Sequence, residues 1–231
     1  MNNLPLISVI LPFYNSQKHL LASVKSVLEQ SYSPIELIVV NDGSTDESGA
    51  IVQSLDDKRI IYIEKTNSGA AASRNEGVKV AKGKYISFID ADDLWDKNKL
   101  EKQYQSIQKG GNSTHMIFGQ VKEIFDEELQ VSEAVKNKAK TFVGYSPITL
   151  FISKNDFLRV GQYNEKWKVA EFIDWYDRAK SKGLSEIVLP NILAYRRIHK
   201  GNIDRLVRKD VKQYAAVLKA ALDRKRRSSS N

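Results

Sequence analysis

At 231 residues, 42% hydrophobic and 28% charged, the chain has the makeup of a folded globular protein, which excludes wholesale disorder and a fibrous or collagen-like chain. It has no cysteine, so a disulfide framework, a thiolate zinc site, an iron–sulfur cluster and a cysteine nucleophile are excluded as well. The net charge of +8 belongs to the second half: residues 1–115 hold 13 basic and 14 acidic groups, and residues 116–231 hold 23 and 14. Such a field can meet nucleic acid, an anionic membrane surface or a phosphorylated substrate, and by itself it does not choose among them.

No apolar run approaches the roughly 18 residues that span a bilayer, and Met1 to Ile7 lack a basic segment followed by an apolar signal core, so a cytoplasmic protein is expected. Ile7 to Pro12 is a short, nearly continuous apolar run of the kind found in a strand covered on both faces, with Pro12 as its stop. Leu20, Val24, Val27 and Leu28 then recur at helical spacing, and a second buried strand, Ile35 to Val40, ends in the turn residues Asn41, Asp42, Gly43 and Ser44. Asp46 precedes a further helical stretch, Ile60 to Ile63 reads as a third strand, and Ser68-Gly69 opens an alanine-rich helix to about Lys82. A fourth strand, Tyr85 to Ile89, runs into Asp90.

Strands and helices alternating in this way predict a doubly wound, mostly parallel α/β sheet, with ligands beyond the carboxyl ends of its strands. Three polar clusters fall at those ends: Pro12-Phe13-Tyr14-Asn15, Asn41 to Asp46, and Asp90-Ala91-Asp92-Asp93. The first turn has neither a G-x-G-x-x-G dinucleotide signature nor a P-loop. Three carboxylates within four residues repel one another unless a cation lies between them. Oxygen ligands favour Mg²⁺ or Mn²⁺ over zinc, although acidic residues also cap helices, here the one beginning near Lys97.

In the second half, Ile117 to Phe125 reads as a strand and residues 126–145 as a long loop. From Glu171 an amphipathic helix runs to Gly183, with Phe172, Trp175, Tyr176 and Ala179 on one face and Glu171 and Asp174 one turn apart. Tyr195 to His199 follows a strand-like Ile187-Val188-Leu189. Val207, Val211, Tyr214, Leu218 and Leu222 mark a terminal amphipathic helix with Arg205, Arg208, Lys209, Lys212 and Lys219 around it, and Arg224 to Asn231 reads as a basic disordered tail.

The segments ISVILPFYNSQKHL, IELIVVNDGSTDES, NSGAAASRNEGVKVAKGKYISFIDADD, EFIDWYDRA and YRRIH resemble the family 2 nucleotide-sugar glycosyltransferases of GT-A fold, from about Ile7 to His199. The resemblance implies one such domain over residues 1–223, with a nucleotide-sugar half at 1–115, an acceptor half at 116–200 and the terminal helix at 201–223. It implies a metal-dependent, inverting transfer from a nucleoside-diphosphate sugar, a UDP-sugar being favoured, to an unidentified hydroxyl acceptor in polysaccharide, glycolipid or other glycoconjugate synthesis. Pro12, Tyr14 and Asn15 would line the nucleotide pocket, Asp42 would accept from the base, and Arg74 would meet the donor's phosphate or sugar. Asp90 and Asp92 around Ala91 would form the D-x-D pair, with Asp92 as the direct metal ligand and Asp90 nearer the ribose. Arg196 and Arg197 would bind diphosphate, and His199 would be a further ligand to the Mn²⁺ or Mg²⁺.

Related enzymes carry a Glu-Asp pair at the start of the late helix, with the Asp as base. Here Glu171 is followed by Phe172, so the base is Asp174 or Glu171, and Asp174 is favoured because a neighbouring aromatic raises basicity by desolvation. A nucleotidyltransferase on a similar sheet and a noncatalytic basic module binding nucleic acid through residues 196–227 are the rival readings. No nucleic acid is expected on the leading one. The terminal helix is compatible with peripheral contact at an anionic inner-membrane surface.

Overall fold

The computed structural model describes residues 4–110, 115–202 and 211–228. A central strand β1 (Ile7–Phe13) is flanked by β2 (Ile35–Asn41) and β4 (Tyr85–Phe88), with β3 (Ile60–Glu64) outside β2, all parallel. Beyond β4 the sheet becomes mixed. β8 (Phe151–Ser153) lies antiparallel to both β4 and β6 (Met116–Phe125), β9 (Glu186–Ile198) runs parallel to β6, and β5 (Leu94–Trp95) closes the far edge antiparallel to β9. The order is β3-β2-β1-β4-β8-β6-β9-β5, with β7 (Thr141–Val143) pairing β6 off that path.

Both faces of the sheet are covered, which is why the first strands are apolar without alternation. Ile7, Val9, Leu11 and Phe13 of β1 pack with α1 (Leu20–Leu28), α2 (Ser48–Gln53) and α4 (Lys99–Gly110), through Leu20, Val24, Val27, Val52 and Leu100. Ile10 and Phe88 look the other way, onto α3 (Ala70–Val80), α6 (Lys154–Val160) and α7 (Glu171–Ser181). The Trp175 indole, fully buried, stacks on Phe157 at 5.1 Å and donates its ring N–H to the Gly161 carbonyl, which seats α7 on this layer.

Four expectations about elements are corrected. Pro12 does not stop β1, which continues to Phe13 along β2. Ile10 accepts the Ile89 N–H, so Pro12, two residues on, faces the same side at a point where β4 has already ended. Its missing N–H therefore costs no ladder bond, and β1 and β4 part there. The segment 195–198 is the end of a continuous β9 and not a separate loop, and the stretch 126–145 contains a short helix, α5 (Glu133–Lys136), as well as β7. The basic run after residue 223 is helical as far as Ser228, within α8 (Val211–Ser228). Arg205, Val207, Arg208 and Lys209, read as part of that helix, lie outside the described residues.

Lys99, wholly buried, is a polar element that periodicity did not mark. Its ammonium donates to Ser87 Oγ at 2.8 Å and Gln103 Oε1 at 2.9 Å and stands 3.7 Å from the Trp95 ring centre, while burial pushes its pKa well down.

The helix α3 lies so close to β1 that a Cβ placed on Gly77 would stand 2.5 Å from Ile10 Cγ2. The variant Gly77→Ala is expected to lose about 1–3 kcal/mol of stability, read as a lower midpoint in urea unfolding at unchanged slope.

Candidate active site

The carboxyl ends of β1, β2 and β4 open onto one rim, and two residues with left-handed backbone border it. Asn15 has φ 46° and Ala170 φ 63°, the two non-glycine residues in that region among those described. Asparagine tolerates this conformation and alanine is strained in it, so Ala170, directly before Glu171, is held by its surroundings. Asn15 Oδ1 accepts the Thr45 N–H at 2.8 Å and its own N–H donates to Ser44 Oγ at 3.0 Å, which ties the β1 and β2 turns together. Beside them the Tyr14 ring is exposed at the mouth, and Pro12 is buried behind it.

Asp42 is buried, and its oxygens are already engaged. They accept from Lys65 Nζ at 2.8 Å, Ser68 N–H at 2.9 Å and Gly69 N–H at 2.8 Å. Burial alone would raise its pKa, but the ammonium and the two backbone donors more than offset that and hold it down. Asp42 thus staples the loop that leads into α3, a role for Lys65 and the 68–69 amides that no spacing in the sequence announced.

At the centre lies Arg74, on α3, with 4% of its surface exposed. Its Nη2 is 2.6 Å from Asp90 Oδ1 and its Nη1 2.6 Å from Glu171 Oε1, while the Tyr163 ring lies 5.9 Å from the guanidinium carbon. Burial opposes its charge, and the carboxylates of Asp90 and Glu171 more than restore it, so its pKa moves up. Its Nε has no hydrogen-bond acceptor although buried.

The three carboxylates after β4 do not converge. Asp90 faces Arg74. Asp92 Oδ2 is 3.0 Å from His199 Nε2. Asp93 is buried and accepts the Arg197 N–H at 2.9 Å, and burial, then the charges of Asp92 and Asp90, push its pKa well up. The expectation that all three grip one cation is therefore corrected: Asp90 turns to Arg74, Asp92 to His199 and Asp93 to the Arg197 N–H. Among the described residues no group of three His, Asp or Glu side chains converges as a metal site. Arg197 sits here through its backbone and through Nε, which donates to the Asp92 carbonyl at 3.2 Å, and Ala91 is buried with its carbonyl accepting from Ser23 Oγ at 2.8 Å.

The His199 ring also meets a second histidine. His19, just before α1, lies 5.3 Å away between ring centres, and its Nε2 is 3.0 Å from Asp126 Oδ2. The two rings, Lys18, Asp126 and Glu128 line a cavity of about 180 Å³ next to Asp92. His19 closes the quoted segment ISVILPFYNSQKHL without a role assigned to it and Asp126 belonged to no motif; the return of the β6 end to the end of β9 brings Asp126 in, through its N–H donated to the Ile198 carbonyl at 2.9 Å.

Glu171 and Asp174, one turn apart, part company. Glu171 reaches the rim. Asp174 is 2% exposed and gives both oxygens to arginines, Oδ2 to Arg178 Nε at 2.9 Å and Oδ1 to Arg224 Nη1 of α8 at 3.0 Å. Arg224 also reaches Asp177 at 2.7 Å. The choice of Asp174 as base is therefore corrected, because a carboxylate enclosed by two guanidiniums has no free lone pair facing the rim. Phe172, where related enzymes carry Asp, packs into the aromatic layer against Trp175 and Tyr176.

The Glycosyl transferase family 2 model matches residues 8–165. An uncharacterised glycosyltransferase of Rickettsia prowazekii is 34% identical over 186 residues, covering 74% of this chain and 58% of that protein. Another, of Rickettsia typhi, is 30% identical over 228 residues, covering 92% and 70%. Residues 1–349 of S. aureus TarS, solved in complex with UDP-GlcNAc, share the fold at a TM-score of 0.68 and 22% identity, covering 84% of this chain and 59% of that one. The chain thus spans a little over half the length of the first of these relatives. The likeness to TarS bears out the expected GT-A sheet, and the family match favours a glycosyltransferase over a nucleotidyltransferase.

The opposite placement of the two α7 carboxylates has a consequence for stability. Asp174→Ala leaves two arginines facing a buried void and is expected to cost about 3 kcal/mol. Glu171→Gln keeps Arg74 paired with Asp90 and should cost about 1 kcal/mol or less. Thermal unfolding of the two variants side by side checks the order.

Proposed function

The chain belongs to glycosyltransferase family 2, and from that premise we propose that it moves a sugar, with inversion, from a nucleoside-diphosphate sugar to an acceptor hydroxyl at the rim where Arg74 joins Asp90 to Glu171. The buried guanidinium bridge carries this reading. It joins a carboxylate after the end of β4 to one at the start of α7 through the same cation, 2.6 Å from each.

An inverting displacement needs a base on the acceptor side, within reach of the attacking hydroxyl and on the face away from the leaving diphosphate. Glu171 meets that need, as the first residue of α7, partly open to solvent. Glu171 takes the hydroxyl proton as the acceptor oxygen bonds to the anomeric carbon, and the bond from that carbon to the diphosphate oxygen breaks with its electron pair leaving on the diphosphate. Arg74, paired with both Glu171 and Asp90, holds the two carboxylates in register as the proton moves.

The nucleoside would enter between the β1 and β2 ends, its base beside the exposed Tyr14 ring and the loop that Asp42 and Lys65 hold. Asp42, with its acceptors occupied, acts there by shaping the loop. That TarS was solved with UDP-GlcNAc supports a UDP-sugar as donor.

Asp92 and His199, whose Oδ2 and Nε2 lie 3.0 Å apart at the rim, are the residues that would hold a Mg²⁺ or Mn²⁺ ion, with waters and phosphate oxygens as its other ligands. Asp90, turned to Arg74, is not in that set. When bound, the ion would offset the negative charge of the departing diphosphate.

Two measurements test the assignments. Glu171→Gln should lower kcat for UDP release by about 10²–10⁴-fold while leaving the thermal stabilisation by UDP and Mn²⁺ in place, and an Asp174→Asn variant that falls further in kcat at equal folded fraction would return the base to Asp174. His199→Ala should raise by about tenfold or more the Mn²⁺ concentration at which UDP stabilises the fold, and an unchanged midpoint would remove His199 from the ligand set.

A further inference from the structure

Helix α8 presents an apolar stripe that nothing in the described structure covers. Tyr214, Leu218 and Leu222 follow at four-residue steps, so they share one face, and they are 45%, 58% and 56% exposed. Beside that stripe the same helix is anchored, with Val217 fully buried and Arg224 held by Asp174 and Asp177 of α7. The stripe is therefore not the inward face of a loose helix. It is the outward face of one that is already docked.

The charge around that face selects its occupant. From Val211 to Ser228 the sequence carries, besides the inward-held Arg224, five basic residues against the single acid Asp223, and Lys219 follows Leu218 directly on the exposed side. A second copy meeting this face would bring two strongly basic helices together, at a cost in Coulomb repulsion. A surface of anionic lipid headgroups complements the charge and takes up the Tyr and Leu side chains at the depth where the acyl chains begin. No helix among the described residues is long and apolar enough to cross a membrane, so this contact would lie in the plane of the interface.

We propose that α8 seats the protein on an anionic bilayer through Tyr214, Leu218 and Leu222, with Lys219 beside them at the headgroups. Because Arg224 ties α8 to the helix that begins with Glu171, a bilayer under α8 stands at a fixed offset from the rim. That arrangement suits an acceptor carried on a lipid, whereas the docking itself rests on the stripe and the charge alone.

The test is co-sedimentation of the full chain with vesicles of phosphatidylcholine containing 30% phosphatidylglycerol, against pure phosphatidylcholine, without any sugar nucleotide. The protein should pellet with the anionic vesicles, lose most of that binding when NaCl rises from 0.1 to 0.5 M, and bind about tenfold more weakly as Leu218→Glu/Leu222→Glu. These positions are exposed, so the variant should keep its circular dichroism and melting midpoint, and Leu218→Ser/Leu222→Ser, which adds no charge, should weaken binding in the same direction. Failure of the native chain to pellet, or equal pelleting of all variants, overturns the proposal. A dimer in light scattering that the same substitutions dissolve, with no vesicle binding, assigns the face to self-association instead. None of these readouts involves transfer, so they stand apart from the assignment of Glu171.

Discussion

A guanidinium placed almost wholly out of water, with a carboxylate on each side, organises this molecule. Arg74 could not be buried alone, since the desolvation of one cation would exceed what helix packing returns. Asp90 at the end of β4 and Glu171 at the start of α7 make the burial tolerable, and in doing so they draw the parallel half of the sheet and the antiparallel half to one point. The carboxylates belong to elements 81 residues apart in sequence, so the same contact that assembles the rim also closes the domain.

The second pair of arginines shows how similar groups are given different work by their surroundings. Glu171 and Asp174 sit one turn apart on α7, with an arginine near each. At Glu171 the partner is the buried Arg74, which engages Oε1. At Asp174 the partners come from its own helix and from α8, and they use both oxygens. Ionic pairing is present in both places, and the proposed base differs from its structural neighbour in which oxygens are taken up. The aromatic layer of Phe118, Phe172, Trp175 and Tyr176 fixes the rotation of α7 that produces this difference.

The fold was legible for a physical reason. Strands covered on both faces must be continuously apolar, and their ends, where chain leaves the core, collect the polar residues, so β1, β2 and β4 and their polar ends could be read directly from residues 7–13, 35–41 and 85–93. Motif spacing likewise brought Arg74, Asp90, Asp92, Glu171 and His199 into consideration. The short strands β5 and β7 were not legible, because two or three residues carry no periodicity and are strands only through their pairing with β9 and β6. Lys99 escaped notice for a related reason, since a lysine reads as solvated until Ser87, Gln103 and Trp95 are seen around it.

Local chemistry was thus enough to establish the sheet, its binding edge and the roster of charged residues there, since those follow from hydrophobic pattern and turn preference over short stretches of chain. It could not assign partners within the roster. Whether Asp90 meets a cation or Arg74, whether Asp174 faces the rim or Arg224, and whether His19 lies beside His199 are questions of distance between residues far apart in the chain. Electrostatic pairing falls off over a few ångströms, so those answers existed only once packing had set the separations.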